Sequence, residues 1–256
     1  MELFVCLIAG MGAGLGTGLA GMSAATVISP MLITFLGMNS YEAIGIALAS
    51  DVLASAVSAY TYGKNKNIDL KGSKYLFVSV LIFTFIGAII SHMVPSTTIG
   101  NLTIYSSFIM GINFLIKSFR EEKEQQPRQF QGILKVGLPI LCGAIIGFIC
   151  GFVGAGGGIM MLMLLTIVLG YELKIAVGTS VFIMTFTALS GSISHFTLTG
   201  IIPDLPTLTI CVLSTLTFAL IGAKFANKAT PKILNRTTGI VLTSLGIIML
   251  TLTYLP

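Results

Sequence analysis

Charged residues are scarce in this chain. Lys, Arg, Asp and Glu together make up 9% of its 256 residues, whereas hydrophobic residues make up 55%. A soluble domain carries about 25% charged residues. Apolar runs of about 20 residues, the length of a membrane-crossing helix, recur here without the alternation of membrane strands. The sequence therefore predicts an all-α polytopic protein of the cell (inner) membrane, in contact with lipid.

Catalytic motifs are also missing. The sequence contains no Walker A motif, no His-Glu-x-x-His and no Gly-x-Ser-x-Gly, and no pair of carboxylates is spaced for acid–base catalysis. Its four cysteines form no metal-ligand pattern. We therefore expect no enzyme, no metal and no cofactor, and an ATP-driven pump acting alone is disfavoured. Small buried apolar residues are the favoured interpretation of the cysteines, although Cys142 and Cys150 share a helix face.

The basic residues are confined to loops. Of the fourteen Lys and Arg residues, thirteen lie in the segments 63–74, 117–135 and 224–236. This clustering is the positive-inside pattern of membrane proteins rather than a basic groove. We therefore expect these loops to be cytoplasmic, and we expect no nucleic acid to bind.

Ten apolar segments are separated by short polar or proline-containing breaks. They are residues 3–20, 23–37, 40–62, 75–94, 99–116, 136–152, 157–170, 174–199, 205–223 and 237–255. Two of them, 23–37 and 157–170, would be about 21–23 Å long as helices, which predicts half-helices or short, steeply packed helices. The resulting organisation is a first transmembrane repeat at 1–118, a cytoplasmic linker at 119–135 and a second repeat at 136–256.

The two halves are related by an internal repeat. A shift of 133 positions carries Gly10, Gly14, Gly18, Gly21 and Gly37 onto Gly143, Gly147, Gly151, Gly154 and Gly170, and a shift of 135 carries Asp69 onto Asp204. The basic loop 63–74 corresponds to a neutral loop at 200–206, and the neutral loop 95–100 corresponds to the basic segment 224–236. Basic and neutral loops have exchanged places, which predicts inverted repeats of about five transmembrane segments each.

Glycine clusters interrupt the apolar runs at repeat-related positions. The second-half cluster is Gly154, Gly156, Gly157 and Gly158, and the matching first-half stretch is Gly21, Ser23, Ala24 and Ala25. A helix that begins inside a membrane exposes unpaired N–H groups and the positive end of its dipole, which can bind an anion without a basic side chain. Such paired breaks are typical of transporter binding sites. Close helix packing through small residues is the alternative.

Polar side chains inside the apolar runs are further candidates. Gly178, Thr179 and Ser180 follow the second break, and the two hydroxyls are the best side-chain ligands, although hydroxyls in spans often bond to their own helix. Asp51 lies well inside an apolar run, where a carboxylate indicates a functional role, here proton coupling; a helix end facing water or a hydroxyl partner is the alternative. His195 titrates near neutrality, but its position near a span end favours an interfacial histidine over a proton relay.

Several of these stretches resemble the sulfite exporter TauE/SafE family of bacterial and archaeal membrane proteins. The resemblance rests on residues 154–158, 175–180 and 190–195, and it covers nearly the whole chain in two copies. Pro30 is kept in the first half, whereas Met163 stands where the second half would carry proline. The resemblance implies a secondary transporter, with export favoured, of a small sulfur-containing anion such as sulfite, sulfoacetate or thiosulfate.

Composition and spacing by themselves indicate only a transporter with an anionic substrate. Alternating access about the two glycine breaks is the favoured mechanism. An anion channel is the second hypothesis, and an intramembrane sulfur-relay component that uses Cys142 or Cys150 is the third. Proton coupling through Asp51 or His195 and assembly into a homo-oligomer are left open at this point.

Overall fold

A computed structural model describes residues 2–119, 134–154, 157–200 and 202–226, together with isolated residues between 236 and 251. Its helices are α1 (Glu2–Ala20), α2 (Ala25–Leu36), α3 (Ser40–Lys64), α4 (Leu70–Ser91), α5 (Ser96–Phe119), α6 (Leu134–Val153), α7 (Gly157–Met163), α8 (Leu173–Thr199) and α9 (Leu205–Ala226). A π-helical turn, Leu164–Val168, continues α7. These ranges contain no strand, which confirms the all-α fold class.

Helix length separates two kinds of segment. Within the described part of the chain, α1, α3, α4, α6, α8 and α9 are long and apolar enough to cross a membrane. The helix α2 has 12 residues, and α7 with its π-helical turn runs only from 157 to 168. Each is about 18 Å long, well short of a hydrocarbon core of about 30 Å. This agrees with half-helices. Most of the linker 119–135 and of the segment 237–255 lies outside the described residues.

The packing of the helices follows the internal repeat. The helix α1 packs along α9, its counterpart α6 packs along α4, and α3 packs against α8. Individual contacts repeat as well: the Ser214 hydroxyl donates to Leu7 O at 3.0 Å, and the equivalent Ser79 hydroxyl donates to Ile140 O at 2.7 Å. Each half therefore lends its fourth helix to the first helix of the other half.

Glycine lets these exchanged helices approach closely. A Cβ on Gly14 would overlap the backbone of Thr215, and a Cβ on the equivalent Gly147 would overlap the backbone of Val80. Small residues allow this spacing because no side chain separates the two backbones. Packing thus accounts for the repeated glycines of α1 and α6, whereas the glycines that follow these helices have another role.

Contacts also sort the loops into two ends of the bundle. The Tyr62 hydroxyl donates to Gly18 O at 3.4 Å, and Gly18 packs against the backbone of Ala223, so α3 and α9 finish side by side. At the other end, the Asp204 N–H donates to Glu42 Oε1 at 3.1 Å, so the two helices also start side by side. Lys64 at the end of α3 and Lys224 in the last turn of α9 therefore lie at the same end of the bundle.

Candidate anion site

Both glycine breaks have the same local backbone. Gly21 has a φ of +63° and Gly154 a φ of +68°, in the left-handed region that glycine enters without penalty. The Gly21 N–H donates to Thr17 O at 3.0 Å, and the Gly154 N–H donates to Cys150 O at 2.9 Å. Each glycine therefore terminates the preceding helix as a left-handed cap, and the chain begins a new, short helix a few residues later.

The two breaks touch each other near the centre of the chain's fold. Gly158 packs so closely on the first break that a Cβ there would overlap Gly21 O and stand 2.8 Å from Ser23 N. Gly158 and Ser23 are both buried. Gly156, which the sequence analysis also assigned to this site, lies outside the described residues. The predicted half-sites thus meet, in a closed contact.

Asp51 of α3 lies against the first break. Its side chain is 1% exposed, and Ser23 Oγ donates to its Oδ2 at 2.7 Å. Its Oδ1 is buried without a hydrogen-bond partner among the described residues. Asp51 therefore lies in the middle of a helix with a hydroxyl partner, not at a helix end. Ala25, fully buried, begins α2 beside it.

Cys150 of α6 forms the other side of this site. It is 5% exposed, and the Thr187 hydroxyl and the Gly157 N–H lie beside its thiol. A Cβ on Gly157 would lie 2.9 Å from its sulfur. The sequence favoured Cys150 as a small buried apolar residue, with sulfur relay as a lesser hypothesis, and it did not predict Thr187 as a site residue. The internal repeat could have indicated Cys150 as a residue beside the break. Cys150 is equivalent to Thr17, which lies one turn before the first break.

The residues after the second break divide between two places. A Cβ on Gly21 would lie 2.9 Å from Ser180 Oγ, so Ser180 borders the first break. The neighbouring Thr179 instead accepts a hydrogen bond from the Asp69 N–H at 3.0 Å, and Gly178 packs on the backbone just before Asp69. Gly178 and Thr179 therefore fix the loop between α3 and α4, and of the three residues Ser180 reaches the centre.

His195 belongs to a separate aromatic cluster. It is fully buried, and its Nε2 lies 3.2 Å from Gly151 O. Its ring centroid lies 5.3 Å from that of His92 and 6.4 Å from that of Tyr41. Burial lowers the pKa of His92, which follows the last residue of α4. The position of His195 near the end of a span suggested an interfacial residue. Its burial was not predictable, because the residues that cover it, Tyr41 and His92, are distant in the chain.

An open cavity of about 410 Å³ lies away from the glycine breaks, where α2 ends and α3 and α5 begin. Its polar lining residues are Thr34, Asn39, Ser40, Ser96, Thr97 and Asn101. The Ser40 N–H donates to Ser96 Oγ across it at 3.2 Å. This cavity lies at the same end of the bundle as Glu42 and Asp204, and it is separate from the central site.

Six helices of membrane length, and two broken segments that meet beside a buried carboxylate, define a polytopic membrane transporter. The family model for the sulfite exporter TauE/SafE matches residues 6–249, and the chain belongs to that family. It is 27% identical over 258 residues, 95% of this chain and 94% of the relative, to "Probable membrane transporter protein MJ0441" of Methanocaldococcus jannaschii. It is 25% identical over 217 residues, 76% of this chain and 78% of the relative, to "Probable membrane transporter protein YunE" of Bacillus subtilis. The resemblance noted in the sequence is confirmed.

Proposed function

We propose that this protein is a secondary transporter that exports a small sulfur-containing anion, such as sulfite, sulfoacetate or thiosulfate, by alternating access. The observation that carries the proposal is the contact between the two glycine breaks, where Gly158 meets Gly21 and Ser23. The family's description as sulfite exporters supports the substrate class, and the contact between the two breaks supports this position for the anion.

The chemistry of this place suits an anion. The helix α2 and the helical segment 157–168 both begin at the contact, so their first N–H groups and the positive ends of their dipoles converge there. The Ser23 and Ser180 hydroxyls also border the first break; in the closed contact they donate to Asp51 Oδ2 and Val177 O, and they could turn to an anion when the breaks separate. The interiors of the helices hold no Lys or Arg. Main-chain and hydroxyl donors therefore replace a basic side chain.

The closed contact explains why movement is needed. The contact has no room for even one added carbon, since a Cβ on Gly158 would overlap Gly21 O. An anion can therefore enter only when the two breaks move apart. The exchange of α4 and α9 between the halves gives two bundles, α1 with α9 and α4 with α6, that can rock against each other. Opening on alternate sides would expose the same N–H groups to each compartment in turn.

The inverted arrangement with cytoplasmic basic loops can be tested by labelling. Lys66→Cys and Lys224→Cys, both at exposed positions, should react with a membrane-impermeant maleimide from the cytoplasmic face. Ile202→Cys, 84% exposed in the neutral loop, should react from the opposite face. The variants are made in a background without the native cysteines. Labelling of positions 66 and 224 from opposite faces would overturn the arrangement.

Counterflow in proteoliposomes tests the function itself. Vesicles that contain the purified protein and unlabelled sulfite, thiosulfate or sulfoacetate should take up the matching labelled anion transiently. Vesicles that lack the protein should not. The anion should be recovered unchanged, since the protein is a carrier rather than an enzyme. Uptake that never saturates, together with single-channel currents in planar bilayers, would replace the carrier by an anion channel.

A further inference from the structure

We propose that Asp51 carries one proton that is bound together with the anion, so that transport is coupled to a proton gradient. This inference rests on the proposed function and concerns the same site. It follows from three features of Asp51: a buried oxygen without a donor, the lack of a cation beside it among the described residues, and the closeness of the proposed anion position.

The first feature is the unequal surroundings of the two carboxyl oxygens. Oδ2 accepts from Ser23 Oγ at 2.7 Å, whereas Oδ1 is buried without a partner among the described residues. A buried polar atom without a hydrogen-bond partner is costly, and a buried charge more so. A proton on Oδ1 removes the charge and turns that oxygen into a donor, which can then bond to an incoming anion.

The second feature is the lack of a compensating positive charge. The basic residue nearest along α3 is Lys64, about 20 Å away by helix rise. The titratable group that acts on Asp51 from a neighbouring helix is the Cys150 thiol of α6, which supplies no positive charge. The helices packed against α3 carry other titratable or charged groups, namely Glu2 and Cys6 on α1, Tyr105 and Lys117 on α5, Lys174 and His195 on α8, and Cys211 and Lys224 on α9. The three lysines lie in the last turn of α5, the first turn of α8 and the last turn of α9.

The third feature is distance. The Ser23 side chain bonds to Asp51, while the Ser23 N–H lies where Gly158 closes the site. An anion held by these N–H groups is therefore a near neighbour of the carboxyl. Two negative charges so close in a desolvated site repel strongly, so the anion and the proton favour each other's binding. Thermodynamic linkage makes this preference reciprocal.

The proposed step is simple and balanced. One proton from the open side binds Asp51 Oδ1, the anion binds the N–H groups beside it, and both leave on the other side when the breaks separate there. A dianion that moves with one proton carries one net negative charge, so net movement follows the anion gradient, the proton gradient and the membrane potential. A negative cell interior favours export of that charge. Coupling to a sodium ion is the competing outcome of the test. A sodium ion would need several oxygen ligands in place of the single proton site.

The experiment compares the wild-type protein with Asp51→Asn, using labelled thiosulfate and sulfoacetate, whose charges do not change across the pH range used. In wild-type proteoliposomes with the membrane potential held at zero by valinomycin and equal potassium on both sides, acidifying the outside by one pH unit should raise accumulation about tenfold for one coupled proton. Asp51→Asn, which has no proton to exchange at this position, should lose the response to the gradient, and the counterflow it retains should be the same at about pH 6 and about pH 9. Glu172→Gln, which neutralises an exposed carboxylate before α8, is the matched control and should behave as the wild-type protein does.

Two further measurements keep the inference open to refutation. A pH dye inside wild-type vesicles should report acidification when thiosulfate or sulfoacetate is added outside, which requires no variant to fold. A gradient response that persists in Asp51→Asn, or a response to a sodium gradient in place of the pH gradient, would overturn the proton inference while leaving anion transport intact. Absence of counterflow for all three anions in the wild-type protein would instead refute the proposed function.

Discussion

The two glycine breaks share a backbone but differ in chemistry. Gly21 and Gly154 cap the preceding helices with nearly the same φ, +63° and +68°. Ser23 follows the first cap, and its hydroxyl donates to the carboxyl of Asp51 on α3. The position equivalent to Asp51 in the second half is Met184, which contacts Gly158 instead.

The difference shows how a repeated architecture can hold an unsymmetrical site. Close packing and chain reversal need the same small residues in both halves, so those positions match. A single carboxyl suffices to bind a proton, and a second one nearby would add repulsion. The first half therefore supplies the titratable group, and the second half supplies bare main chain at Gly157 and Gly158.

The largest expected effect comes from filling the contact between the breaks. Gly158→Val places a branched side chain where even a Cβ would overlap Gly21 O. The breaks could then no longer close on each other, and counterflow should fall about 100-fold or more. Membrane insertion should persist, which size-exclusion chromatography of the detergent-solubilised protein would check.

A matched control separates the site from helix packing in general. Gly12 lies on α1, where a Cβ would meet its nearest neighbour, Val27, at 3.7 Å. Gly12→Ala should therefore leave counterflow unchanged. Normal transport by Gly158→Val would show that the contact between the breaks is not part of the transport cycle.

The next effect concerns the symmetry of packing. Gly18→Ala would overlap the backbone of Ala219, and the equivalent Gly151→Ala would overlap the backbone of Thr84. Each forces two helices apart and should cost about 1–3 kcal/mol of stability, seen as lower thermal unfolding temperatures in detergent. Similar losses are expected because the two contacts are repeat-related; a loss in one variant alone would show that the halves pack differently.

A smaller effect is expected where the halves diverge at the loop between α3 and α4. The Tyr171 hydroxyl donates to Asp69 Oδ2 at 2.9 Å, and burial together with this carboxylate raises the pKa of Tyr171. The equivalent position in the first half is Met38, so that half has no such bond. Tyr171→Phe should cost about 1 kcal/mol and should speed proteolysis near residue 66. The pH dependence of that proteolysis should not change below about pH 9, because the raised pKa keeps the hydroxyl protonated.

The smallest effect is expected from making the halves alike at Cys150. Cys150→Thr copies Thr17, whose hydroxyl donates to Ala13 O at 3.0 Å. A threonine at 150 can bond to its own helix in the same way, so counterflow should stay within about twofold of the wild-type rate and stability within about 1 kcal/mol. Complete loss of counterflow with normal folding would favour the sulfur-relay hypothesis instead.

Some of the site was predictable because it depends on local sequence. Positive φ at Gly21 and Gly154 follows from glycine after an apolar helix, and the short length of α2 follows from Gly37, which ends it with a φ of +62°. The position of Thr179 was not predictable, since its partner Asp69 lies in a loop more than a hundred residues away. Nor was Cys150, whose neighbours come from α7 and α8.

The sequence alone determined that the chain is helical, lies in a membrane and consists of two related halves. Hydropathy, glycine spacing and the distribution of basic residues establish this because they depend only on the order of residues along the chain. The tertiary structure decided which of the candidate residues meet: Asp51 with Ser23, Cys150 with Gly157, and His195 with His92 and Tyr41. The reason is that apolar helices are alike along their length, so the choice of partner depends on how small residues let particular backbones approach.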